Sequence, residues 1–344
     1  AEAMLRVPDN YTVDELIRDK IVPHDWSAHL GSSGSLLVNL STWALMLTGQ
    51  AFADKAESVV GTLHQISRRL GEPVVREVVG GAMKVLSMEF ILGRNISEAI
   101  ARGRSMIEKG YTYSFDMLGE AARTESNAQM YFDAYLGAIS DIGQSLSTKD
   151  IHKNAGISVK LSALHSRYER SQCDDMLPIM VERVLILARA AAASGIGLNI
   201  DAEESDRLDL SLDVIGSVLS DSSLSGWDGF GVVVQAYDKR ALSFLDWLYR
   251  LTADLNRRIM VRLVKGAYWD QEIKHAQVLG IDCYPVFSRK AHTDVSYLAC
   301  GRKLLGMTDR IYPQFATHNA HTVAAVLNMV GDYRQFEFQR LHGM

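Results

Sequence analysis

Two basic side chains stand where a chain ordinarily places only apolar ones. Lys160 lies inside "ISVKLS" and Arg262 inside "IMVRLV". Burying an unpaired charge is costly, so each requires a partner or a ligand. The run that holds Arg262 continues into Lys265-Gly266-Ala267-Tyr268-Trp269. Gly266 lets a ligand approach the backbone closely. Tyr268 and Trp269 offer flat faces to a ring system. Other chemically capable residues are Asp116 and Glu120, the acids of "GLNIDAEE" (Asp201, Glu203 and Glu204), Gln235, Ser288-Arg289-Lys290, and Thr317-His318-Asn319-Ala320-His321. The collective character is cationic, through Lys160, Arg262, Lys265, Arg289 and Lys290. Such a set suits an anionic ligand, a phosphate or a carboxylate.

Three other readings compete. Any single charged residue here is equally a solvated loop residue or half of a structural ion pair, with Asp201 and Asp116 as the natural partners of Lys160 and Arg262. His318 and His321 with Asp201 offer metal-ligand chemistry, but the spacing is unspecific and the surrounding cations would repel a metal ion, so no metal is expected. Lys160 or Lys265 could be a Schiff-base nucleophile, as in an aldolase.

These residues must be positioned by something, and the chain supplies it. Short β-type runs fall at 113–118, 157–162, 196–201, 230–236, 259–266, 285–287, 313–316 and 336–340, with amphipathic segments such as 176–194 and 239–257 between them. Strand–helix alternation at this spacing argues for parallel β-structure built from βαβ units. Eight runs predict a distorted (β/α)8 barrel, residues 111–344, with the site at the C-terminal ends of the strands. A doubly wound sheet is the runner-up, but no Gly-rich turn follows the first run. The run at 336–340 stands as the eighth strand, and no eighth helix follows it. Residues 1–110 read as an all-helical arm, with Thr12 and Glu15 as a capping box, a loop at 31–35, and helices near 51–70, 74–91 and 96–109.

Composition narrows the class. The chain has 344 residues, 47% hydrophobic and 22% charged, with a net charge of −5. No block of like charge marks a nucleic-acid footprint. The most apolar stretch, 36–47, is too short to span a bilayer. Cys173, Cys283 and Cys300 are scattered, which suits reduced thiols in the cytoplasm. The sequence does not start with Met, as in a piece of a longer protein.

At this point the motifs "VKLSALHSRYE", "NIDAEE", "RLVKGAYWD", "YPQFATHNAH" and "FEFQRLHGM" resemble the proline dehydrogenase domain of proline utilization A. The resemblance is dense over 110–344, and the leader resembles the arm that precedes this barrel. It implies FAD as a non-covalent cofactor and oxidation of L-proline to Δ1-pyrroline-5-carboxylate by hydride transfer to flavin N5. Membrane quinone would then reoxidise the flavin. Arg262 matches the residue beside N5 and Gln235 the one at the pyrimidine edge. Val264, Lys265, Gly266, Ala267 and Trp269 match further flavin contacts. Ser288, Arg289 and Lys290 match the segment around the FAD phosphates and ribose, and Thr317, His318 and Asn319 another FAD-binding stretch. Lys160 matches the lysine on the substrate carboxylate, and Asp201 the acid near the substrate amine and the flavin. Ala267, Tyr268 and Leu341 match the walls around the proline ring. Asp116 would partner an arginine pair on the eighth helix. The resemblance also implies a cytoplasmic protein with peripheral contact at the inner membrane when full length, and is compatible with a homodimer. No nucleic acid is expected to bind this segment, and the family's DNA-binding and aldehyde dehydrogenase modules are expected to lie outside it.

Overall fold

The computed structural model describes residue 9, residues 11 and 12, and residues 90–344 apart from 118, 147 and 149. The expected features at 31–35, 36–47 and 51–70, and nearly all of that at 74–91, lie outside these residues, as does Glu15. The capping box is corrected at its first residue: Asp9 accepts the Thr12 N–H at 2.8 Å and the Thr12 hydroxyl at 2.9 Å. Asp9 therefore caps this turn, and Thr12 lies three residues inside it.

The chain divides into two compact units, residues 1–94 with 341–344, and residues 95–340. The second unit carries seven strands and eight helices among the described residues: α1 (Ile96–Ile107), β1 (Ser114–Asp116), α2 (Glu125–Gln144), β2 (Gly156–Val159), α3 (Cys173–Ser194), β3 (Gly197–Ile200), α4 (Leu208–Leu219), β4 (Phe230–Gln235), α5 (Ala241–Asp254), β5 (Ile259–Val264), α6 (Trp269–Leu279), α7 (Lys290–Leu305), β6 (Ile311–Ala316), α8 (Ala320–Val330) and β7 (Glu337–Gln339). Local sequence sets the boundaries. Asn95, Thr124 and Asn319 place side-chain oxygens on the first free N–H groups of α1, α2 and α8, and Gly195 and Gly280 end α3 and α6 in the left-handed conformation.

Every strand pairs in parallel with its sequence neighbour, in the order β1 to β7. This is barrel order; a doubly wound sheet would reverse direction at a switch point. The sheet is curled. Laid flat, β1 and β5 would stand about 19 Å apart, yet Arg262 on β5 donates to Ser114 on β1 at 2.7 Å and to Ser158 on β2 at 2.8 Å. The strands β2, β3 and β4 are buried at every residue, as parallel strands covered on both faces must be. In β5, Ile259, Val261 and Leu263 are fully buried. Alternation turns Met260, Arg262 and Val264 to the opposite face.

One run of the eight is misplaced. Residues 285–287 form no strand of the sheet; Val286 makes an isolated antiparallel bridge to Asp238. The Lys239 N–H donates to the Pro285 carbonyl at 3.1 Å, and the Phe287 N–H to the Tyr237 carbonyl at 2.8 Å. The run is three residues long and begins at a proline, which has no N–H for a ladder. It straps the loop after β4 instead. The β5-to-β6 crossover therefore carries two helices, α6 and α7. The run at 336–340 supplies the seventh strand, β7, rather than the eighth. The distorted-barrel class stands with seven parallel strands.

Candidate active site

Lys160 after β2 and Arg262 of β5 meet on one carboxylate after β3, and the end of β1 joins them through Lys160. Asp201, the residue after β3, is held by its N–H to the Val159 carbonyl of β2 at 2.9 Å. Its Oδ1 accepts from Arg262 at 3.2 Å and its Oδ2 from Lys160 Nζ at 3.2 Å. All three side chains are only 12–14% exposed. Lys160, the residue after β2, also donates to both oxygens of Asp116 at the end of β1, at 2.9 and 3.1 Å. The two basic residues that interrupt apolar runs thus satisfy their charge with two strand-end acids. Arg262 Nε is buried and takes up no partner.

Burial would discharge Lys160, but the carboxylates of Asp201 and Asp116 outweigh it and hold the ammonium well above the ordinary lysine range. A lysine fixed in its charged form is a poor amine nucleophile, which argues against Lys160 as a Schiff-base nucleophile. Burial raises Asp116 above the usual carboxylate range, with the Lys160 charge opposing.

Gln235 ends β4, buried. Its Nε2 donates to the Glu203 carbonyl at 2.8 Å, and its Oε1 accepts the Ala267 N–H at 3.2 Å. At the end of β5 the carbonyls of Val264 and Lys265 accept from the Ala236 and Tyr237 N–H groups at 2.8 and 2.9 Å. Gly266 follows with φ +131°, and a Cβ there would lie 2.4 Å from the Tyr237 ring. Lys265 pairs with Asp294 of α7, which also holds Lys290 at 2.7 Å. Tyr268 is half-buried, and burial raises its hydroxyl above the usual range. Trp269 is 41% exposed, its Nε1 donating to the Phe287 carbonyl at 2.9 Å.

The structure therefore brings Asp116, Lys160, Asp201 and Arg262 into one network, and joins Gln235 to Ala267. Val264 ends β5, and Lys265, Gly266, Tyr268 and Trp269 follow it. Ser288, Arg289 and Lys290 are exposed at the start of α7. Thr317, His318 and Asn319 lie between β6 and α8. Thr317 Oγ1 accepts from the Asn319 N–H at 3.2 Å, and Asn319 caps α8. Leu341 is exposed and belongs to the other compact unit. Among the described residues no group of three or more His, Cys, Asp and Glu side chains could hold a metal ion. Four residues escaped the sequence reading. Ser114 and Ser158 anchor the Arg262 guanidinium, their own hydroxyls 3.3 Å apart. Tyr135 of α2 accepts from the Lys160 N–H at 3.4 Å. Glu337 of β7 accepts from Gln314 at 3.0 Å and from Gln339 at 2.6 Å. Small hydroxyls inside apolar runs carry no signal by type or spacing.

Fold and network together define a parallel α/β barrel-type protein whose strand ends present a cation-rich site bridged by one acid. Comparison with known proteins gives the particular family. Residues 99–344 match the family model described as proline dehydrogenase, and residues 1–90 one described as the DNA-binding domain of proline dehydrogenase. The chain belongs to the proline dehydrogenase family. It is 49% identical over 348 residues to the bifunctional protein PutA of Escherichia coli (strain K12), covering 100% of this chain and 26% of that protein. It is 47% identical over 349 residues to the PutA of Rhizobium meliloti, covering 100% of this chain and 28% of that one. A crystal structure of Bradyrhizobium japonicum proline utilization A superposes with a TM-score of 0.73 at 47% identity, covering 100% of this chain and 34% of that one. The chain thus spans about a quarter of the length of these curated relatives. The match over residues 1–90 corrects the expectation that the module described as DNA-binding lies outside this segment. Those residues carry more acidic than basic side chains, which does not by itself favour a polyanion.

Proposed function

We propose that this chain oxidises L-proline to Δ1-pyrroline-5-carboxylate with FAD as cofactor, the first step of proline catabolism. The observation that carries the reading is the Lys160–Asp201–Arg262 bridge at the ends of three strands, in a chain of the proline dehydrogenase family. The residues fit a flavin. Arg262 keeps a buried N–H without a partner, Gln235 carries an amide at the neighbouring strand end, and Trp269 leaves a ring face partly open. Arg262, Gln235, Val264, Lys265, Gly266, Ala267 and Trp269 would hold the ring system. Arg289 and Lys290, with Ser288, would face the phosphates and ribose, and Thr317, His318 and Asn319 would complete the binding stretch. Bound FAD supplies the hydride acceptor at N5, and membrane quinone is the proposed oxidant of the reduced form.

The chain's own groups do the rest. Lys160, fixed in its charged form, holds the substrate carboxylate, which displaces Asp116 as its partner. Asp201 orients the substrate nitrogen, which releases hydride from the adjacent carbon only when deprotonated. Arg262 places positive charge where negative charge develops. Ala267 and Tyr268 would wall the proline ring. We place the protein in the cytoplasm, with peripheral contact at the inner membrane when full length. No described helix is long and apolar enough to cross a membrane.

The test is the visible spectrum of the purified protein with and without proline. A flavin spectrum bleached by proline is expected. Bound flavin that proline never reduces would make the chain a binding scaffold. A colourless protein trapped on lysine by borohydride with a carbonyl substrate would make it an aldolase.

A further inference from the structure

One residue layer outside the charged network, hydrogen bonds run from loop to loop across five successive strand ends. The Ala121 and Ala122 N–H groups, in the loop after β1, donate to the Oγ and the carbonyl of Ser162 at 2.9 and 2.8 Å. The Ser162 N–H, in the turn after β2, donates to Glu203 Oε1 at 2.9 Å. The Glu203 carbonyl, after β3, accepts from Gln235 of β4, and Gln235 accepts from Ala267, after β5, at 2.8 and 3.2 Å. The same five strand ends supply Asp116, Lys160, Asp201, Gln235 and the segment after Arg262.

Ser162 is the member of this belt that does two things at once. It is 2% exposed and lies two residues after Lys160. It also holds Ala121 at φ +52°, one of two non-glycine residues with positive φ among those described. An alanine in the left-handed region is disfavoured and persists only where its surroundings impose it. Here the imposing contacts are the Ser162 hydroxyl and carbonyl.

Resting on the proline dehydrogenase reading, we propose that Ser162 is a positioning residue. By clamping Ala121 it fixes the loop after β1, and with it the distance between Asp116 and Lys160, so that the lysine meets the substrate carboxylate in register. Its effect falls on substrate binding, not on the hydride step.

The test combines Ser162→Ala, Ala121→Gly and the double variant in the full chain. Ser162→Ala is expected to raise KM for proline about tenfold, the size of one lost hydrogen bond, with kcat and flavin content near wild type. Amide hydrogen exchange over residues 117–124 should quicken. Glycine takes positive φ without penalty, so the double variant should reverse most of the rise in KM. A Ser162→Ala protein that is merely less stable, with KM and local exchange unchanged, overturns the proposal, as does a double variant no better than the single. Should Ser162→Ala not fold, the near-isosteric Ser162→Cys, a weaker acceptor, must move both readouts the same way; unchanged values overturn it. If the wild-type flavin is never reduced by proline, the functional reading fails. Exchange over residues 117–124 then still decides whether Ser162 holds the loop.

Discussion

Asp201 is the residue on which the site turns. A single carboxylate, 14% exposed, answers two cations that would otherwise sit in a poorly solvated place. Removing one member of a buried charge cluster leaves the others uncompensated, at a cost of about 3–5 kcal/mol. Asp201→Ala should therefore lower kcat/KM for proline by at least about a hundredfold, while the protein retains most of its flavin. A variant with normal turnover would remove Asp201 from the mechanism, and equal loss of flavin and turnover would make its role structural. Arg262 makes a different demand. Ser114, Ser158 and Asp201 hold its guanidinium at three points, so its positive charge is fixed before any ligand arrives. Arg262→Met should lower the flavin reduction potential, because a fixed positive charge near the ring favours the reduced anion. An unchanged potential would undo that placement.

At the scale of the element, β5 and its exit decide the geometry. The strand ends where Gly266 takes φ +131°, a conformation closed to L side chains, with the Tyr237 ring where a Cβ would stand. The chain thereby leaves the sheet and starts α6 at Trp269. Gly266→Ala should cost about 1–3 kcal/mol and reduce flavin content, since both Lys265 and Trp269 flank the displaced backbone. Full flavin content with wild-type stability would show that the exit tolerates a side chain. Much of this element was legible beforehand. The apolar alternation of 259–264, the glycine, and the polar residues at its end all announce a strand leading into a site. The ends of β2 to β4 were legible for the same reason: a charged or amide residue closes a buried run. The run at 285–287 was not, because three residues cannot distinguish a ladder from a strap, and only the bridge to Asp238 settles it. Nor could the sequence show which acid answers which base. Lys160 and Asp201 are adjacent only because β2 and β3 pair in register, and Arg262 reaches Ser114 only because the sheet curls.

For the molecule as a whole, several carboxylates are placed where ionisation is costly. Burial raises Glu203, Glu272 and Glu337 above the usual range despite the hydrogen bonds each accepts. The folded state then holds these protons more tightly than the unfolded one. Their contribution to stability is full below the ordinary glutamate value of 4.5, and is lost as pH rises through the raised folded value. The acids that surface contacts push down, Asp150, Asp221 and Asp294, act below the ordinary aspartate value of 3.8 and do not overlap this window. His152 and His165, which burial pushes down, work in the opposite direction up to the ordinary histidine value of 6.5, so the slope of the wild-type protein alone is ambiguous. A substitution separates them. Glu337→Gln keeps an acceptor for Gln314 and Gln339 but never titrates. Relative to wild type, the variant should gain stability as pH rises from about 5 to about 8, because only the wild type has a carboxyl on β7 whose proton the folded state holds more tightly than the unfolded one. Urea midpoints at the two pH values measure the difference. A gap between the proteins that is the same at both would mean that Glu337 is not strained by its charge, and that the edge of the barrel is more open to water than its hydrogen bonds suggest.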